Sequence, residues 1–210
     1  MQHVEELVQT SGVEYDYWKP QIYTNTSLPE VPVNMGFMCC PRSLSDRISK
    51  LGLGYLGPKV RAIVRSAQFP VLIPSPVFHK WRSISTFFGG SDNALHALKL
   101  SLQIAATARV KIDMFTQLGK GCNRENCEQA IREAGLEKAL DPGLVTWYIF
   151  EKKTFEENLY QVPPDSLVVL GTCGKRVIKK LVFGGKMEKI QATLPNNLLV
   201  VGPNCTVSEK

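Results

Sequence analysis

The stretch with the clearest chemical capacity opens with Gly171-Thr172-Cys173-Gly174, runs on for nine residues and closes with Gly184-Gly185-Lys186. It follows a short β-prone run, Ser166–Leu170. Glycines lacking a side chain let backbone N–H groups approach phosphate oxygens closely, and the amino terminus of a following helix adds a favourable dipole. Lys175, Arg176, Lys179, Lys180 and Lys186 bring positive charge to the same segment, part of it solvated helix surface. Paired glycines also serve strand-to-helix turns for steric reasons, so the pattern acquires meaning only from its context.

Other reactive side chains are scattered. The six cysteines, Cys39, Cys40, Cys122, Cys127, Cys173 and Cys205, include no CxxC pair of the kind that holds zinc or runs redox chemistry. Cys122 and Cys127 are five apart with no histidine nearby, and they read as buried or incidental thiols. His3, His79 and His96 lie far apart and read as surface or packing residues. No Ser/His/Asp or Cys/His set can be assembled from the spacing.

Elements that would position the glycine-rich segment alternate strand with helix, the order that builds a parallel sheet covered on both faces. Ser83–Phe88 is a strand ending at Gly89-Gly90; Ser91-Asp92-Asn93 then supplies cap residues for a largely buried helix from Ala94. Val110–Phe115 is a second strand, Asn126–Ala134 a second helix and Leu144–Phe150 a third strand. Thr154–Tyr160 suits a short helix. Ser166–Leu170 is the fourth strand, a basic helical stretch runs to about Thr193, and Leu198–Val201 is the fifth strand. In such a sheet ligands bind beyond the carboxyl ends of strands where strand order reverses, which makes the turn after the fourth strand the informative place.

Part of this order occurs earlier in the chain. Val4–Thr10 reads as a helix, Val13–Trp18 and Val33–Met38 as strands. Gly57–Val64 leading to Pro70–Ile73 is similar to Gly184–Gln191 leading to Asn197–Val200 at a constant offset, which an internal duplication explains. The first copy begins at what is the second helix of the second copy and lacks the strands before it. Its loop Cys39–Leu44 has no glycine pair, and Pro41 removes an N–H that a phosphate cradle would use. Apolar Pro70–Ile73 is instead suited to pair with Leu198–Val201 or with another chain, because an incomplete parallel sheet leaves strand edges to be covered.

Bulk composition narrows the classes. A chain of 210 residues with 44% hydrophobic and 21% charged residues has enough apolar material for a packed core, which excludes a disordered or fibrous class. The formal net charge of +6 suits an anionic ligand or a soluble surface. The basic residues form no long block interleaved with aromatics, which disfavours nucleic acid. No apolar run reaches the ~18 residues of a membrane span, and the polar start has no secretory pattern, so the expected location is cytoplasmic.

The segment GTCGKRVIKKLVFGGKMEKIQATLPNNLLVV resembles the signature of the universal stress protein family: Gly-x-x-Gly, nine residues, Gly, then Ser or Thr. ISTFFGGSDNALHALKLSLQIAA resembles that family's opening strand, turn and helix. The similarity covers Ser83–Pro203 as a whole domain and Val4–Pro74 as a partial one. Residues 1–76 are therefore read as an incomplete, degenerate copy and 77–210 as a complete domain.

The resemblance implies an α/β fold with an open five-stranded parallel sheet of the adenine nucleotide alpha hydrolase-like kind, and dimerisation through the last strand. In some members it also implies ATP at the carboxyl edge of the sheet. Gly171, Gly174 and Gly184 fall on the three glycine positions; Gly185 stands where the family has a hydroxyl for phosphate. Gly89 stands where ATP-binding members carry Asp, and Gln117 or Thr116 where an apolar residue lines the adenine site. Each departure removes a contact worth ~1 kcal/mol. The implied nucleotide-binding set is thus Gly89, Gln117, Gly171, Thr172, Gly174, Lys175, Gly184, Gly185 and Lys186, taking ATP or AMP weakly, with magnesium only as the nucleotide's companion. Two functions follow: a stress-response regulatory module that holds an adenine nucleotide, or a dimerisation and interaction protein of the same fold that holds none. Enzyme activity beyond a weak ATPase is disfavoured, since only Asp92 remains as a nearby acid. The expected partners are a second copy, or an intramolecular pseudo-dimer through the last strands, and a further protein; no nucleic acid and no membrane are expected.

Overall fold

The structure, a computed structural model, describes residues 10, 12, 14, 36–42, 56–75, 80–119, 122–151, 154–172 and 185–206, with side chains from 189 onward in the last stretch. The chain clusters into two units, 1–33 and 34–210, and every element named below lies in the second. The helix at Val4–Thr10 and the strand at Val13–Trp18 read from sequence fall outside the described residues or touch them only at Thr10.

In chain order the elements are β1 (Met38–Cys39), α1 (Pro58–Ser66), β2 (Val71–Ile73), β3 (Ser83–Phe87), α2 (Asp92–Ala108), β4 (Ile112–Gln117) and α3 (Arg124–Glu133). A 3-10 turn (Glu137–Leu140), β5 (Val145–Phe150), α4 (Phe155–Leu159), β6 (Ser166–Gly171), α5 (Gly185–Thr193) and β7 (Asn197–Val201) complete it. They form one seven-stranded sheet in the order β1-β2-β7-β6-β3-β4-β5. Strands β3 to β7 are mutually parallel where they pair, the five-stranded open α/β sheet expected from sequence. Two further strands, β1 and β2, extend it. The second strand begins at Ile112, two residues later than Val110, because Arg109 closes α2 in the left-handed region at φ 56°.

Side-chain caps start three of the helices. Ser91 caps α2, its Oγ accepting from the Ala94 amide at 3.3 Å. Asn123 caps α3 through Oδ1 and the Asn126 amide at 2.7 Å. Thr154 and Glu157 form a reciprocal capping box at α4. Central β6 is buried from Ser166 to Leu170, which is why it reads as an uninterrupted apolar run and not an alternating one. On edge strand β5 only Val145 is buried, and Thr146 and Tyr148 are exposed. Ile84, Ile112, Met114, Leu167, Val169, Leu199 and Val201 form one core with Ala94, Ala97, Leu98 and Ala105 of α2 and with Cys127 and Ile131 of α3.

The last strand is covered by an earlier part of the chain. Val71, Leu72 and Ile73 pair antiparallel with Val200, Leu199 and Leu198. Leu72 and Leu199 are equivalent positions of the two similar segments, and the flanking pairs are reciprocal, which is the register a two-fold axis through that pair produces. Helix α1 comes so close to the exit of β7 that a Cβ on Gly202 would lie 2.0 Å from Val64 O. Arg42 reaches the end of α5, donating from Nη1 to Gln191 O at 2.8 Å and from Nη2 to Leu194 O at 3.2 Å. Buried Gln191 in turn accepts from the Leu56 amide through Oε1 at 3.1 Å. Among the described residues no helix is long and apolar enough to cross a membrane.

Two outcomes follow for stability. Arg42→Ala removes both charge-assisted bonds to the end of α5 and is expected to cost about 2–3 kcal/mol in urea unfolding, with Arg42→Lys restoring less than half. Asp113 lies on β4 between Ser85 and Thr146 of the neighbouring strands, and burial pushes its carboxyl above the usual range. The folded chain therefore favours the neutral acid: its contribution is complete below the ordinary aspartate pKa of about 3.9 and is lost as pH rises through the raised value. Asp113→Asn is expected to unfold at higher urea than the parent at neutral pH, with the difference vanishing near pH 3.

Candidate functional site

From β3 the chain proceeds through α2 to β4 and through α3 to β5 on one side, then crosses to β6 and β7 on the other. Strand order therefore reverses between β3 and β6, and a crevice opens at their carboxyl ends. Phe87 and Leu170 are register partners there, so Gly89 and Gly171 lie at adjacent strand exits, with Gln117 at the exit of β4 beyond β3. These three residues of the sequence-derived set share one sheet edge. Gly185 and Lys186 open α5, while Gly174, Lys175 and Gly184 lie outside the described residues.

Each described member of the set has a specific environment. Gly89 is exposed, and a Cβ built on it meets nothing within 4 Å. Gly171 is the opposite case. A Cβ there would stand 2.3 Å from Asn93 O and 2.7 Å from Ala94 N, so the first turn of α2 presses directly on its Cα. Thr172 is buried; its amide donates to Val201 O at 2.9 Å, continuing the β6–β7 ladder. Gln117 is held at both ends of its amide, Nε2 donating to Phe150 O at 3.1 Å and Oε1 accepting from Asn158 Nδ2 at 2.6 Å.

Two residues that matter here were not singled out as site residues from sequence. Asn93 is buried in the first turn of α2, and its Nδ2 donates to Thr172 O at 3.0 Å and to Thr172 Oγ1 at 3.2 Å. That clamp joins the amino end of α2 to the exit of β6. In sequence Asn93 is one of three successive cap-type residues, and only the fold shows that its side chain turns inward. Asn158 is 3% exposed; Nδ2 serves Gln117, and Oδ1 has no hydrogen-bond partner among the described residues. Such an acceptor is costly to bury unless a donor reaches it.

Beside these amides lies an aromatic group. Phe87 packs edge-on against Phe155 at 5.9 Å and offset against Phe115 at 5.6 Å, and Phe115 stacks on Phe150 at 6.2 Å. It supplies at the carboxyl edge the flat apolar surface that Gln117 does not. Charge at the edge is mixed: the amino end of α2 favours an anion, while exposed Asp92 in its first turn opposes one. A separate groove of roughly 680 Å³, lined by Leu72, Trp81, Val110, Leu167 and Asn197 among others, lies at the amino ends of β6 and β7 and includes none of the residues at the crevice.

By sequence, no family model and no curated protein matches the chain. By structure, a universal stress protein from Archaeoglobus fulgidus superposes with a TM-score of 0.66 at 15% identity, covering 96% of this chain and 76% of that one. A functionally unknown protein from Pseudomonas aeruginosa superposes with a TM-score of 0.55 at 19% identity over 80% of this chain. The present chain spans 63% of the length of that structure. The chain thus has the fold of the universal stress proteins, which is the fold that the Gly171–Gly184 resemblance implied.

The two glycines at the crevice should answer differently to the same change. Gly171→Ala is expected to destabilise the protein by about 3 kcal/mol through its collision with the α2 backbone, whereas Gly89→Ala should change stability by less than about 0.5 kcal/mol. Thermal unfolding of the two variants checks this.

Proposed function

We propose that this protein is a regulatory module of the universal stress protein type that holds an adenine nucleotide weakly at the carboxyl edge of β3, β4 and β6. The observation that carries the reading is the buried, unpartnered acceptor Asn158 Oδ1, set beside Gln117 and the Phe87–Phe155 pair at that edge. An exocyclic amino group is the donor such an acceptor lacks, and a planar base suits the neighbouring rings. The fold supports the location, since ligands of open α/β sheets bind where strand order reverses. In this reading the phosphates face the amino end of α2 and the chain between β6 and α5, with Gly174, Lys175, Gly184 and Lys186 as the cationic, glycine-rich cradle. Thr172 contributes position and not a free amide, because that N–H belongs to the sheet. Affinity on the order of 0.1 mM, about 5.5 kcal/mol, is what a site without the acid at Gly89 and the hydroxyl at Gly185 should reach.

Residues 1–76 are, on the same reading, an incomplete copy retained for its last helix and strand, with no ligand of its own. The symmetric register of Leu72 with Leu199 supports that assignment. A second reading, an interaction scaffold without nucleotide, is favoured by the commitment of Gly171, Thr172 and Gln117 to internal contacts.

Isothermal titration with ATP and with AMP separates the two. Heat from both nucleotides with dissociation constants in the high micromolar range, weakened at least fivefold in Asn158→Leu, is the expected result. Absence of heat up to about 1 mM of either nucleotide rejects nucleotide binding and leaves the scaffold.

A further inference from the structure

Cys122 and Cys127 are brought into contact by the way α3 begins. Asn123 is its cap, so Cys122 occupies the position before the cap and Cys127 the fourth position inside the helix. Those two positions ordinarily carry a pair of apolar side chains that pack across the helix entrance. Here they carry two thiols, with the sulfurs 3.4 Å apart. The chain before the cap is held as well: Gly119 and Cys122 exchange backbone hydrogen bonds at 3.1 and 3.0 Å. The Asn123 Oδ1 bond to the Asn126 amide and the Cys127 amide bond to Asn123 O fix the other side. Spacing in sequence gave no reason to connect the two cysteines; capping geometry does.

We propose that Cys122 and Cys127 are a reversible dithiol–disulfide pair, an oxidation site at the entrance of α3 whose reactant is a hydroperoxide. Cys122 is partly accessible and Cys127 is 1% exposed, so the roles divide by access. The Cys122 thiolate attacks one oxygen of the peroxide, the O–O bond breaks, and the leaving oxygen departs as water, giving a sulfenic acid. The Cys127 sulfur then displaces the hydroxyl from that sulfur; the S–S bond forms, and the hydroxyl leaves with the Cys127 proton as a second water. Two thiols and one hydrogen peroxide become one disulfide and two waters. A move from a 3.4 Å contact to a covalent S–S length of about 2.05 Å requires little of a backbone held on both sides. Burial, followed by the hydrogen bond with Cys122, pushes the Cys127 thiol up to about 12, so it keeps its proton until the sulfenic acid stands beside it.

The placement gives the pair something to act on. A Cβ built on Gly90, which sits at φ 73°, would lie 3.7 Å from Cys127 Sγ, so this sulfur underlies the turn between β3 and α2 that borders the crevice. Arg124, the first residue of α3, lies over the Trp147 ring at 5.9 Å, giving the same helix entrance an optical reporter. The oxidation itself does not depend on the nucleotide reading.

The test uses the full chain treated with a modest molar excess of hydrogen peroxide, then alkylated under denaturing conditions and digested with trypsin. Cleavage after Lys120, Arg124 and Arg132 places the two cysteines on separate peptides, Gly121–Arg124 and Glu125–Arg132. The expected product is these two peptides joined by a bond that dithiothreitol releases, with Cys205 still alkylated. Cys127→Ser should instead trap Cys122 as a sulfenic acid that dimedone captures, and Cys122→Ser should leave Cys127 as an unmodified thiol. Recovery of both cysteines as alkylated thiols after peroxide overturns the proposal. So does oxidation of Cys122 to sulfinic acid while Cys127 remains a thiol in the parent chain.

Discussion

Strand β7 is apolar from Leu198 to Val201, and a sheet ending there would present an unpaired row of N–H and C=O groups beside that apolar surface. Three residues of β2 remove the problem. Their pairing with Leu198, Leu199 and Val200 makes β7 an interior strand, and with it the ladder that runs on through Thr172 to Val201. Helix α1 approaches the exit of β7 so closely that Gly202 tolerates no side chain, while Arg42 binds the carbonyls of Gln191 in α5 and of Leu194 just after it. Every feature at the carboxyl edge is referenced to strands held in this way. Between two chains the same symmetric pairing would make a dimer; here one chain supplies both strands.

At the crevice, glycine answers to two physical demands that select the same residue. A phosphate cradle needs glycine so that backbone N–H groups can approach an anion, and a tight helix–strand junction needs it so that two backbones can approach each other. Gly171 meets the second demand, with the α2 backbone at 2.3 Å from its missing Cβ. Asn93 strengthens the same junction by donating to Thr172. An amide that spans two elements and a glycine that lets them touch are parts of one device. What a ligand can use is then restricted to groups that this device leaves over, of which the buried Asn158 oxygen is the clearest.

Helix α3 illustrates how a general packing motif acquires chemistry from residue choice alone. Its cap is ordinary, and the two positions that close its entrance commonly carry apolar side chains. Substituting sulfur for carbon at both places keeps the apolar contact and adds a bond that can form and break. Because Cys127 also touches the β3–α2 turn, one side chain belongs to a helix entrance and to the border of the crevice.

Most of the architecture could be read from local pattern. The strand runs at Ser83, Leu144, Ser166 and Leu198, the cap residue at Ser91 and the short helix from Thr154 all depend on interactions within a few residues of sequence, where composition is decisive. Placement of Gly171 at a strand exit followed from the alternating order of strands and helices, and the family resemblance implied Gly89 and Gln117 beside it. What sequence left open was the use to which each of those residues is put. That Gly171 serves a helix, that Gln117 spans β5 and α4, that Asn93 turns inward and that Cys127 touches the β3–α2 turn were decided by tertiary structure. Each depends on a neighbour from another element, at a distance set by packing, and no property of a single segment encodes that distance.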